Sequence, residues 1–336
     1  MASATIGVLG DVMLGRAVAE ALDRVAPEEV WAGEVREIAA GCDAVVCNLE
    51  CCLSARGTPT ERIPGKPFFF RAPPAAIDSL RAIGVAAVGV ANNHALDYEA
   101  DALVDTLDAV RTAGIGLTGA GVADSEARRG IAIDAGDLRL GIVAVSDHPA
   151  EFAAGPDDPG IAYADLRRGP PGWLAEEIGR LRGACDAVLA FPHWGPNMTT
   201  EPAGWQREVA ARLHDAGADA VAGHSAHVFH GVGWSSRGPT LFDLGDALDD
   251  YAVDPALRND LGVMALWRPG DSDAELELVA LALDFCHTRL ADGEEAEWAA
   301  ARLERACGGL GTAVERITEQ RFVVRPARPA TPARDR

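Results

Sequence analysis

The chain has 336 residues, close to half of them apolar, and a formal net charge of −21. This length can bury a sizeable core, and no apolar run approaches the roughly 18–20 residues that cross a bilayer, so the sequence excludes a membrane-spanning protein. The negative charge disfavours nucleic acid and any long, densely anionic polymer as a partner, because it repels both at long range.

The N-terminus and the cysteines predict a cytoplasmic chain with reduced thiols. The opening residues MASATIGVLGDV lack a basic n-region and a long apolar h-region, and they fit a first core strand better than a signal peptide. Seven cysteines are an odd number, which does not suit a disulfide framework. Cys47, Cys51 and Cys52 could form a thiolate metal site, but no CxxC spacing supports one. We expect no membrane partner, and the sequence does not predict an oligomeric state.

The N-terminal half alternates short apolar runs with a helical pattern. The runs at 5–10, 43–50 and 84–94 predict buried strands, because each is a continuous apolar stretch that leads directly into Gly, Asn, Asp, Glu or His. Residues 99–114 carry apolar side chains at helical spacing and end at a glycine. Residues 127–146 predict a hairpin, with two alternating strands joined by a tight DAGD turn.

The C-terminal half continues the alternation. The runs at 186–195 and 218–227 predict strands of the same kind, and residues 205–217 between them predict a helix. Further strand-like runs cover 238–244, 261–267 and 275–285. We therefore predict an α/β fold with mixed sheets rather than a purely parallel one.

The last part of the chain predicts a capped helix and a tail. Asp292, followed three residues later by Glu295, is a capping-box pattern that opens a helix. Residues 323–336 are rich in Pro and Arg and predict a loosely ordered tail. Since neither an internal repeat nor a linker is visible, we predict one domain over residues 1–322.

Polar side chains follow five of the predicted strands where each strand ends. Any one of them has an ordinary explanation: Asp97 could cap the following helix, Glu50 could lie on a solvated loop, and His193 could be a loop histidine. Together they supply the oxygen and nitrogen donors of a divalent metal at one edge of a sheet. These residues are Asp11, Asn48, Glu50, Asn92, Asn93, His94, Asp97, His193, His224, His227 and His230.

Five ordered motifs resemble one known family. GDVMLGR (10–16), NLE (48–50), ANNHALDY (91–98), PHWG (192–195) and GHSAHVFHG (223–231) are similar to the CapA-type proteins linked to poly-γ-glutamate capsule synthesis. That family is a branch of the calcineurin-like metallophosphoesterase fold, and the resemblance covers residues 5 to about 250. It implies an αββα sandwich of two mixed sheets flanked by helices.

The resemblance also implies the metal ligands. The implied ligands are Asp11, Glu50, Asn93, His193 and His224. The chain departs from the wider fold family in having Met13 where the first strand usually carries a histidine, and Ser225 leaves open which of His224 and His227 is a ligand. Because nitrogen donors are lost and carboxylates gained, we predict one hard divalent cation, Ca²⁺ before Mn²⁺ or Mg²⁺, and no organic cofactor.

Acid–base and substrate-binding roles fall to the remaining polar residues. For acid–base chemistry we predict His94, Asp97, His227 and Asp246. Substrate contacts are predicted for Arg16, Asn48, Asn92, Trp194 and His230. Arg16 and Asn48 could hold a carboxylate or carbonyl group, whereas Trp194 could equally be a core residue.

Three functions are compatible with these residues. Soluble CapA-like proteins occur in lasso-peptide biosynthesis, so the resemblance implies a metal-dependent epimerase of the MslH type that inverts a Cα of a precursor peptide. We expect this isomerase activity, with a peptide as the substrate. The first alternative is a metal-dependent hydrolase of a phosphoester or a γ-glutamyl amide, although the negative net charge argues against polyglutamate as its substrate. The second alternative is an inactive binding module.

Overall fold

Two large mixed β-sheets organise the chain, and helices cover their outer faces. A computed structural model describes residues 4–270 and 275–327. In this part of the chain one sheet has ten strands and the other six. The architecture is the αββα sandwich of two mixed sheets flanked by helices that the sequence predicted.

The strands are defined in chain order. They are β1 (Ile6–Val12), β2 (Ala44–Leu49), β3 (Cys52–Leu53), β4 (Arg71–Ala72), β5 (Val85–Gly89), β6 (Gly116–Thr118), β7 (Ala120–Gly121), β8 (Ile131–Ala135), β9 (Leu138–Ser146), β10 (Gly160–Ile161), β11 (Ala187–His193), β12 (Ala220–Ala222), β13 (Val232–Trp234), β14 (Pro239–Leu241), β15 (Asp246–Leu248), β16 (Leu261–Trp267), β17 (Leu276–Leu283), β18 (Thr288–Leu290), β19 (Thr312–Arg316) and β20 (Arg321–Pro326).

The helices follow the same convention. The α-helices are α1 (Arg16–Leu22), α2 (Gly33–Ala40), α3 (Ile77–Ala82), α4 (Glu99–Thr112), α5 (Asp124–Ala127), α6 (Gly172–Arg182), α7 (Gly204–Ala216) and α8 (Gly293–Gly308). Short 3₁₀-helices cover Pro27–Val30, Pro74–Ala76, Ala150–Phe152 and Leu166–Arg168. Among the described helices, none combines the length and the apolar character that a membrane crossing requires.

Both sheets are parallel near the site and antiparallel towards an edge. The first sheet has the order β19-β20-β17-β16-β1-β2-β5-β6, with β15 beside β1 and β18 beside β17. Its β1, β2, β5 and β6 run parallel, whereas β16 pairs with β1 in the antiparallel sense. The second sheet has the order β13-β14-β12-β11-β9-β8. Mixed sheets are therefore confirmed.

Side-chain alternation in the second sheet separates two cores. Leu140 and Ile142 of β9 belong to the core shared with the first sheet, whereas Val143 and Val145 pack with α6 and α7 on the outer face. The two sheets approach closely, since a Cβ added at Gly89 of β5 would lie 2.9 Å from the ring of Phe191 of β11. Strands buried on both faces explain the continuous apolar runs of the sequence.

The predicted elements agree with the structure apart from the tail. Helix α4 ends two residues before Gly114, which has a φ of +75°. The hairpin is β8 and β9, paired antiparallel around Gly136. At the start of α8, the Glu295 carboxylate accepts a hydrogen bond of 3.4 Å from the Asp292 backbone N–H.

The expectation of a loose tail from residue 323 is wrong for its first four residues. These residues complete β20, which pairs with both β17 and β19. The side chains of Phe322 and Val324, at alternate positions of the strand, are buried in the core and stabilise it. The sequence prediction missed this pattern because it rested on the proline and arginine content of the segment. Residues 328–336 of the predicted tail lie outside the described residues.

The carboxyl ends of the parallel strands bring the site together. Asp11 at the end of β1 is in register with Asn48 of β2 on one side and Asp246 of β15 on the other. A Cβ added at Gly10 would lie 1.9 Å from the carbonyl oxygen of Gly245, so β1 and this segment meet backbone to backbone. This close contact fixes Asp11 relative to Asp246.

Candidate metal centre

Asp11 lies at the centre of the polar cluster. It is almost fully buried, and its Oδ1 accepts a hydrogen bond of 2.7 Å from Asn48 Nδ2. Its Oδ2 accepts one of 3.1 Å from the Ser225 backbone N–H. The Nδ1 atom of His224 lies 3.3 Å from Oδ1, and that of His227 lies 3.6 Å from Oδ2. One carboxylate therefore faces two imidazoles.

Two groups of potential metal donors share Asp11. One contains Asp11, His193 and His224, and the other contains Asp11, Glu50, His227 and Asp246; within each group the donor atoms lie within 4.8 Å of one another. All of these side chains are buried. Asn93 extends the first group, because its Oδ1 lies 3.0 Å from His193 Nε2. The other four predicted ligands therefore lie close to Asp11 or, in the case of Asn93, in contact with a residue of its donor group.

The charges of this cluster fit a cation. Burial, and then the charge of Asp11, raise the pKa of Glu50 well above its usual value. Burial also raises the pKa of Asp246, against the opposing charge of His227. The pKa of His227 would be lowered by burial, but the charges of Asp246 and Glu50 raise it well above the usual value. A divalent cation would remove this mutual repulsion of carboxylates.

Unsatisfied donor atoms support the same interpretation. Glu50 Oε1, Asp246 Oδ2 and His224 Nε2 are buried and have no hydrogen-bond partner. Buried polar atoms are almost always paired, so three orphans in one cluster indicate a missing positively charged partner. Asp243, by contrast, is satisfied, because its two oxygens accept hydrogen bonds of 2.8 Å from the backbones of Ala226 and Gly245.

A His–Asp pair lies beside the donor groups. His94 Nδ1 is 2.6 Å from Asp97 Oδ2, and the same oxygen accepts a hydrogen bond of 2.6 Å from the Phe70 backbone. The alternative that Asp97 caps helix α4 is therefore wrong, because no side chain caps that helix and the carboxylate turns to His94. Lys66 lies 3.2 Å from Asp97 Oδ1 and donates a hydrogen bond of 2.9 Å to the Asn93 carbonyl. Burial lowers the pKa of His94 to about 4.

The cluster opens into a pocket of about 290 Å³. His94, His227 and Phe70 lie on its walls, and Phe70 stacks on His94 at 3.9 Å between ring centroids. Arg16 lies at the rim, with Nε 3.2 Å and Nη2 3.0 Å from the two oxygens of the buried Asp250. Arg16 also has a left-handed backbone, with a φ of +52°, which is unusual for a residue other than glycine.

Two predicted substrate-binding residues lie away from this pocket. Trp194 is fully buried in the core formed by the second sheet and helices α6 and α7, and its Nε1 donates a hydrogen bond of 2.9 Å to the Phe242 carbonyl. His230 is buried as well, and its Nε2 lies 3.0 Å from the Thr199 carbonyl oxygen. A sequence motif places a residue near a strand end, but it does not say which face of the sheet the side chain occupies.

Asn48 and Asn92 support the site from within. Asn92 Nδ2 donates hydrogen bonds to Asn48 Oδ1 at 3.1 Å and to the Leu49 carbonyl at 2.8 Å. Asn92 Oδ1 accepts a hydrogen bond of 3.0 Å from the His94 backbone. Both amides are fully buried, so they hold Asp11 and the His94 loop in place rather than facing the pocket.

Several contacts at the site were not predicted from the sequence. Tyr251 Oη donates a hydrogen bond of 3.3 Å to Glu50 Oε2, and Lys66 and Asp250 hold Asp97 and Arg16 as described above. His148 pairs with Asp147, and its ring centroid lies 5.2 Å from that of His193. The aromatic run after Lys66 and the Asp-Asp-Tyr sequence after β15 were the available signals.

The cysteines take no part in the donor groups. Both groups found among the described residues consist of Asp, Glu and His. All seven cysteines are free, and burial raises the pKa of the thiols of Cys47, Cys51 and Cys52, in the last case to about 12. Neutral buried thiols are poor metal ligands, so the thiolate alternative has no support.

Known proteins similar to this chain are named for capsule synthesis or for polyglutamine synthesis. Residues 5–251 match the family described as bacterial capsule synthesis protein PGA_cap. A "probable polyglutamine synthesis accessory protein" of Mycobacterium tuberculosis is 29% identical over 298 residues, covering 85% of this chain and 78% of its own. The capsule biosynthesis protein CapA of Bacillus anthracis is 25% identical, over 73% of this chain and 60% of its own.

Solved structures resemble the chain only distantly. A hypothetical protein from Thermus thermophilus aligns with a TM-score of 0.42 at 18% identity, covering 85% of this chain and 96% of that one. The sulfate thiohydrolase SoxB of the same genus aligns with a TM-score of 0.39 at 15% identity, covering 87% of this chain and 46% of that one. A likeness this distant carries no information about activity.

The expectation of an isomerase is wrong. The similar proteins are named for capsule biosynthesis and for polyglutamine synthesis, and none of these names denotes an epimerase. The family match likewise lends no support to the lasso-peptide subtype. Paired His and Asp residues occur in hydrolytic sites as readily as in epimerases, so the chemistry of the side chains alone could not separate them. The metal identity and the cytoplasmic location stay predictions.

Proposed function

Because this chain belongs to the bacterial capsule synthesis protein (PGA_cap) family, we propose that it is a metal-dependent hydrolase of an amide bond in a γ-glutamyl chain. The observation that carries the proposal is the shared Asp11 cluster beside the His94–Asp97 pair, both at one pocket. The cluster would hold a cation, and the pair would transfer a proton, which are the two requirements of hydrolysis by activated water.

The donor groups fit a divalent cation, as the orphaned oxygens of Glu50 and Asp246 indicate. The residues that would hold it are those of the two donor groups that share Asp11: Glu50, His227 and Asp246 in one, and His193 and His224 in the other. Such an ion supplies a Lewis acid and lowers the pKa of water.

His94 has the geometry of a proton-transfer group. Its Nδ1 is bound to Asp97, so Nε2 is the ring nitrogen available to the pocket. Asp97 orients the ring and stabilises the imidazolium that forms during transfer. Lys66 fixes Asp97 in turn, which keeps the pair aligned. Because its pKa of about 4 leaves the ring neutral near pH 7, we assign His94 a two-step role: Nε2 would accept a proton from the attacking water and then deliver it to the departing amine nitrogen.

The local charge favours an amide over a phosphoester. Four carboxyl groups are buried near the pocket: those of Asp11, Glu50, Asp246 and Asp249. Among the described residues on its wall, the cationic groups are Arg16 and His227, whose pKa burial would lower but the charges of Asp246 and Glu50 raise. A phosphoester would bring further negative charge to this site, whereas an amide carbonyl is neutral. The site therefore accommodates an amide at a lower electrostatic cost.

The net charge of −21 does not exclude a glutamyl chain. Exposed charges are screened beyond about 8 Å at physiological ionic strength, so a bound chain experiences mainly its nearest neighbours. Asp250 occupies the Nε–Nη2 edge of the Arg16 guanidinium, so Arg16 would bind an α-carboxylate next to the cleaved amide through its remaining N–H groups, as a charge-assisted contact. Every unit of a γ-linked chain carries such a carboxylate.

The test is cleavage of γ-linked glutamate oligomers, followed by mass spectrometry. We expect products that disappear with EDTA and return with Ca²⁺, Mn²⁺ or Mg²⁺. His94→Ala should lower kcat by about a hundredfold to ten-thousandfold, the range of general acid–base catalysis. The matched control is His287→Ala, since His287 lies outside the donor groups and the pocket lining.

Parallel substrates separate the alternatives. Phosphate release from an aryl phosphate without amide cleavage would replace the proposal by phosphoester hydrolysis. Cleavage of α-linked glutamine oligomers but not γ-linked glutamate would leave the hydrolase and overturn its substrate. If no substrate is cleaved with any of the three cations, the inactive binding module becomes the better explanation.

A further inference from the structure

A second cavity, of about 390 Å³, is lined mostly by residues beyond the segment 5–251 that the family matches. Helix α8 contributes Trp298, Arg302 and Arg305 to its wall, and the loop before α7 contributes Thr200 and Glu201. We call it the arginine pocket. None of the five sequence motifs includes a residue of helix α8, and the proposed hydrolysis does not use this cavity.

Arg302 is buried without a carboxylate partner. It is 5% exposed, and its Nε donates a hydrogen bond of 2.9 Å to the Phe229 carbonyl. Its Nη2 is shielded from solvent and has no hydrogen-bond partner. Burial, and then the charge of Arg305, lower the pKa of Arg302 to about 10. Burying a guanidinium without compensation is costly, so the arrangement indicates an anion that completes it.

Neighbouring arginines show that the chain can compensate such charges. Arg258 donates hydrogen bonds of 2.8 and 2.7 Å to Asp260, and Arg289 donates bonds of 2.6 Å to Asp284 and 2.7 Å to Glu295. Both are more exposed than Arg302. Within the described ranges, by contrast, Arg302 forms no ion pair, and its contacts are the Phe229 carbonyl and the rings of Phe229 and Trp298.

The arginine pocket adjoins the pocket of about 290 Å³ beside His94 and His227, which we call the catalytic pocket, because two loops line both. Asn197 and Met198 line the catalytic pocket, and Thr200 and Glu201 follow them into the arginine pocket. In the second loop, Ala252 and Asn259 face the catalytic pocket, whereas Ala256 between them faces the arginine pocket. An extended ligand bound in one pocket therefore has a short path over these loops to the other.

We propose that the arginine pocket is a second binding site for a carboxylate of the same extended chain. Arg302 and Arg305 would bind the carboxylate, and the Trp298 ring would pack against the adjoining methylene groups. Two arginines opposed by Glu201 leave a net charge that suits a monoanion better than a phosphate dianion. The inference that this pocket binds an anion does not depend on the proposed function. The identification of the ligand as a γ-glutamyl chain does rest on it.

Calorimetric titration of the full chain with a γ-linked glutamate trimer tests this site. EDTA is present so that turnover does not interfere. Arg302→Met and Arg305→Gln should raise the Kd of the trimer, the first about tenfold or more, because a charge-assisted, bidentate contact is lost. Arg316→Gln removes the same charge from an exposed residue that pairs with Glu297, and it should leave the Kd unchanged.

Thermal unfolding provides the second readout. Because Arg302→Met removes an uncompensated buried charge, we expect an unchanged or higher Tm, whereas a merely structural Arg302 predicts a lower one. Arg305 is exposed, so Arg305→Gln tests the site even if Arg302→Met does not fold.

Three results would overturn the proposal: wild-type protein that does not bind the trimer, folded variants that bind it as tightly as wild type, or inorganic phosphate that binds more tightly than the trimer in a manner that depends on Arg302. Binding that depends on Arg302, in a protein that cleaves no oligomer with any cation, would leave this site standing and refute the hydrolase alone.

Discussion

The acidic cluster around Asp11 and the arginine pocket both bury charge that the chain leaves incompletely paired, but with opposite signs. In the first, one carboxylate oxygen of Glu50 (Oε1) and one of Asp246 (Oδ2) have no hydrogen-bond partner; in the second, Nη2 of Arg302 has none. The acidic cluster lies at strand ends inside the family-matched segment, whereas the arginines of the arginine pocket lie on helix α8 beyond it. In both regions the unsatisfied buried charge indicates a ligand. The sequence motifs, however, reveal only the acidic cluster and not the arginine pocket.

The largest expected effect is at the shared carboxylate. Asp11→Asn removes the one residue common to both donor groups, so metal binding should weaken by more than about a hundredfold. In wild type, a metal at a hundred times its Kd should stabilise the fold by about 2.7 kcal/mol, and this gain should vanish in the variant. Thermal unfolding with and without EDTA measures it, with the exposed Asp215→Asn as the control. An unchanged metal response in Asp11→Asn would show that the acidic cluster is not the metal centre.

Lys66 forms a buried ion pair with Asp97, and it tests whether a buried charge that has an oppositely charged partner behaves differently from the acidic cluster and from Arg302. Lys66→Met leaves Asp97 without its cation, and breaking a buried ion pair costs about 3 kcal/mol or more of unfolding free energy. The pKa of His94 should rise, because the charge of Lys66 contributes to lowering it. Urea unfolding and a pH–rate profile measure the two changes. Lys66→Arg retains the charge, so an equal loss of stability in that variant would argue for packing instead.

His230 tests whether the buried charge of Arg302 acts on a neighbouring titratable group. Burial, together with the charge of Arg302, lowers the pKa of His230 from about 6.5 to about 4. Since the folded-state pKa lies below the unfolded value, the unfolded chain binds more protons between these pH values, and stability falls as the pH drops from 6.5 towards 4. The contribution is about 3 kcal/mol at most. Urea unfolding at several pH values should show a shallower acid slope for His230→Gln; a slope equal to that of wild type would refute this assignment.

The smallest expected effect is at Trp194, which lies in neither charged region. Trp194→Phe removes one buried hydrogen bond to the Phe242 carbonyl and should cost about 1 kcal/mol of stability. The KM for the oligomer should not change, because the side chain packs away from the pocket. A raised KM with unchanged stability would instead support the substrate-binding role predicted from the sequence.

The sheets and the acidic cluster could be predicted because strands buried on both faces have an unmistakable pattern. Continuous apolar runs ending in Asp11, Glu50 and His193 place those side chains at the carboxyl ends of strands. The sequence did not show that these strands belong to two sheets, with Asp11 and Glu50 following strands of the first and His193 ending β11 of the second. Lys66 and Tyr251 could not be predicted, since they reach the site from irregular segments without periodicity. Arg302 was missed for another reason: an arginine in a helix is ordinarily expected to extend to solvent, and only the packing shows that it does not.

The backbone contact at Gly10 has a consequence for how this protein can vary. Even a methyl group at that position would meet the Gly245 carbonyl at 1.9 Å and separate the two segments that carry Asp11 and Asp246. In a saturation mutagenesis experiment, position 10 should therefore tolerate substitution no better than Asp11, although its side chain has no chemistry to lose. Intolerance to mutation at this position would show that two backbone segments must lie close together. Selection would retain glycine here because it has no side chain.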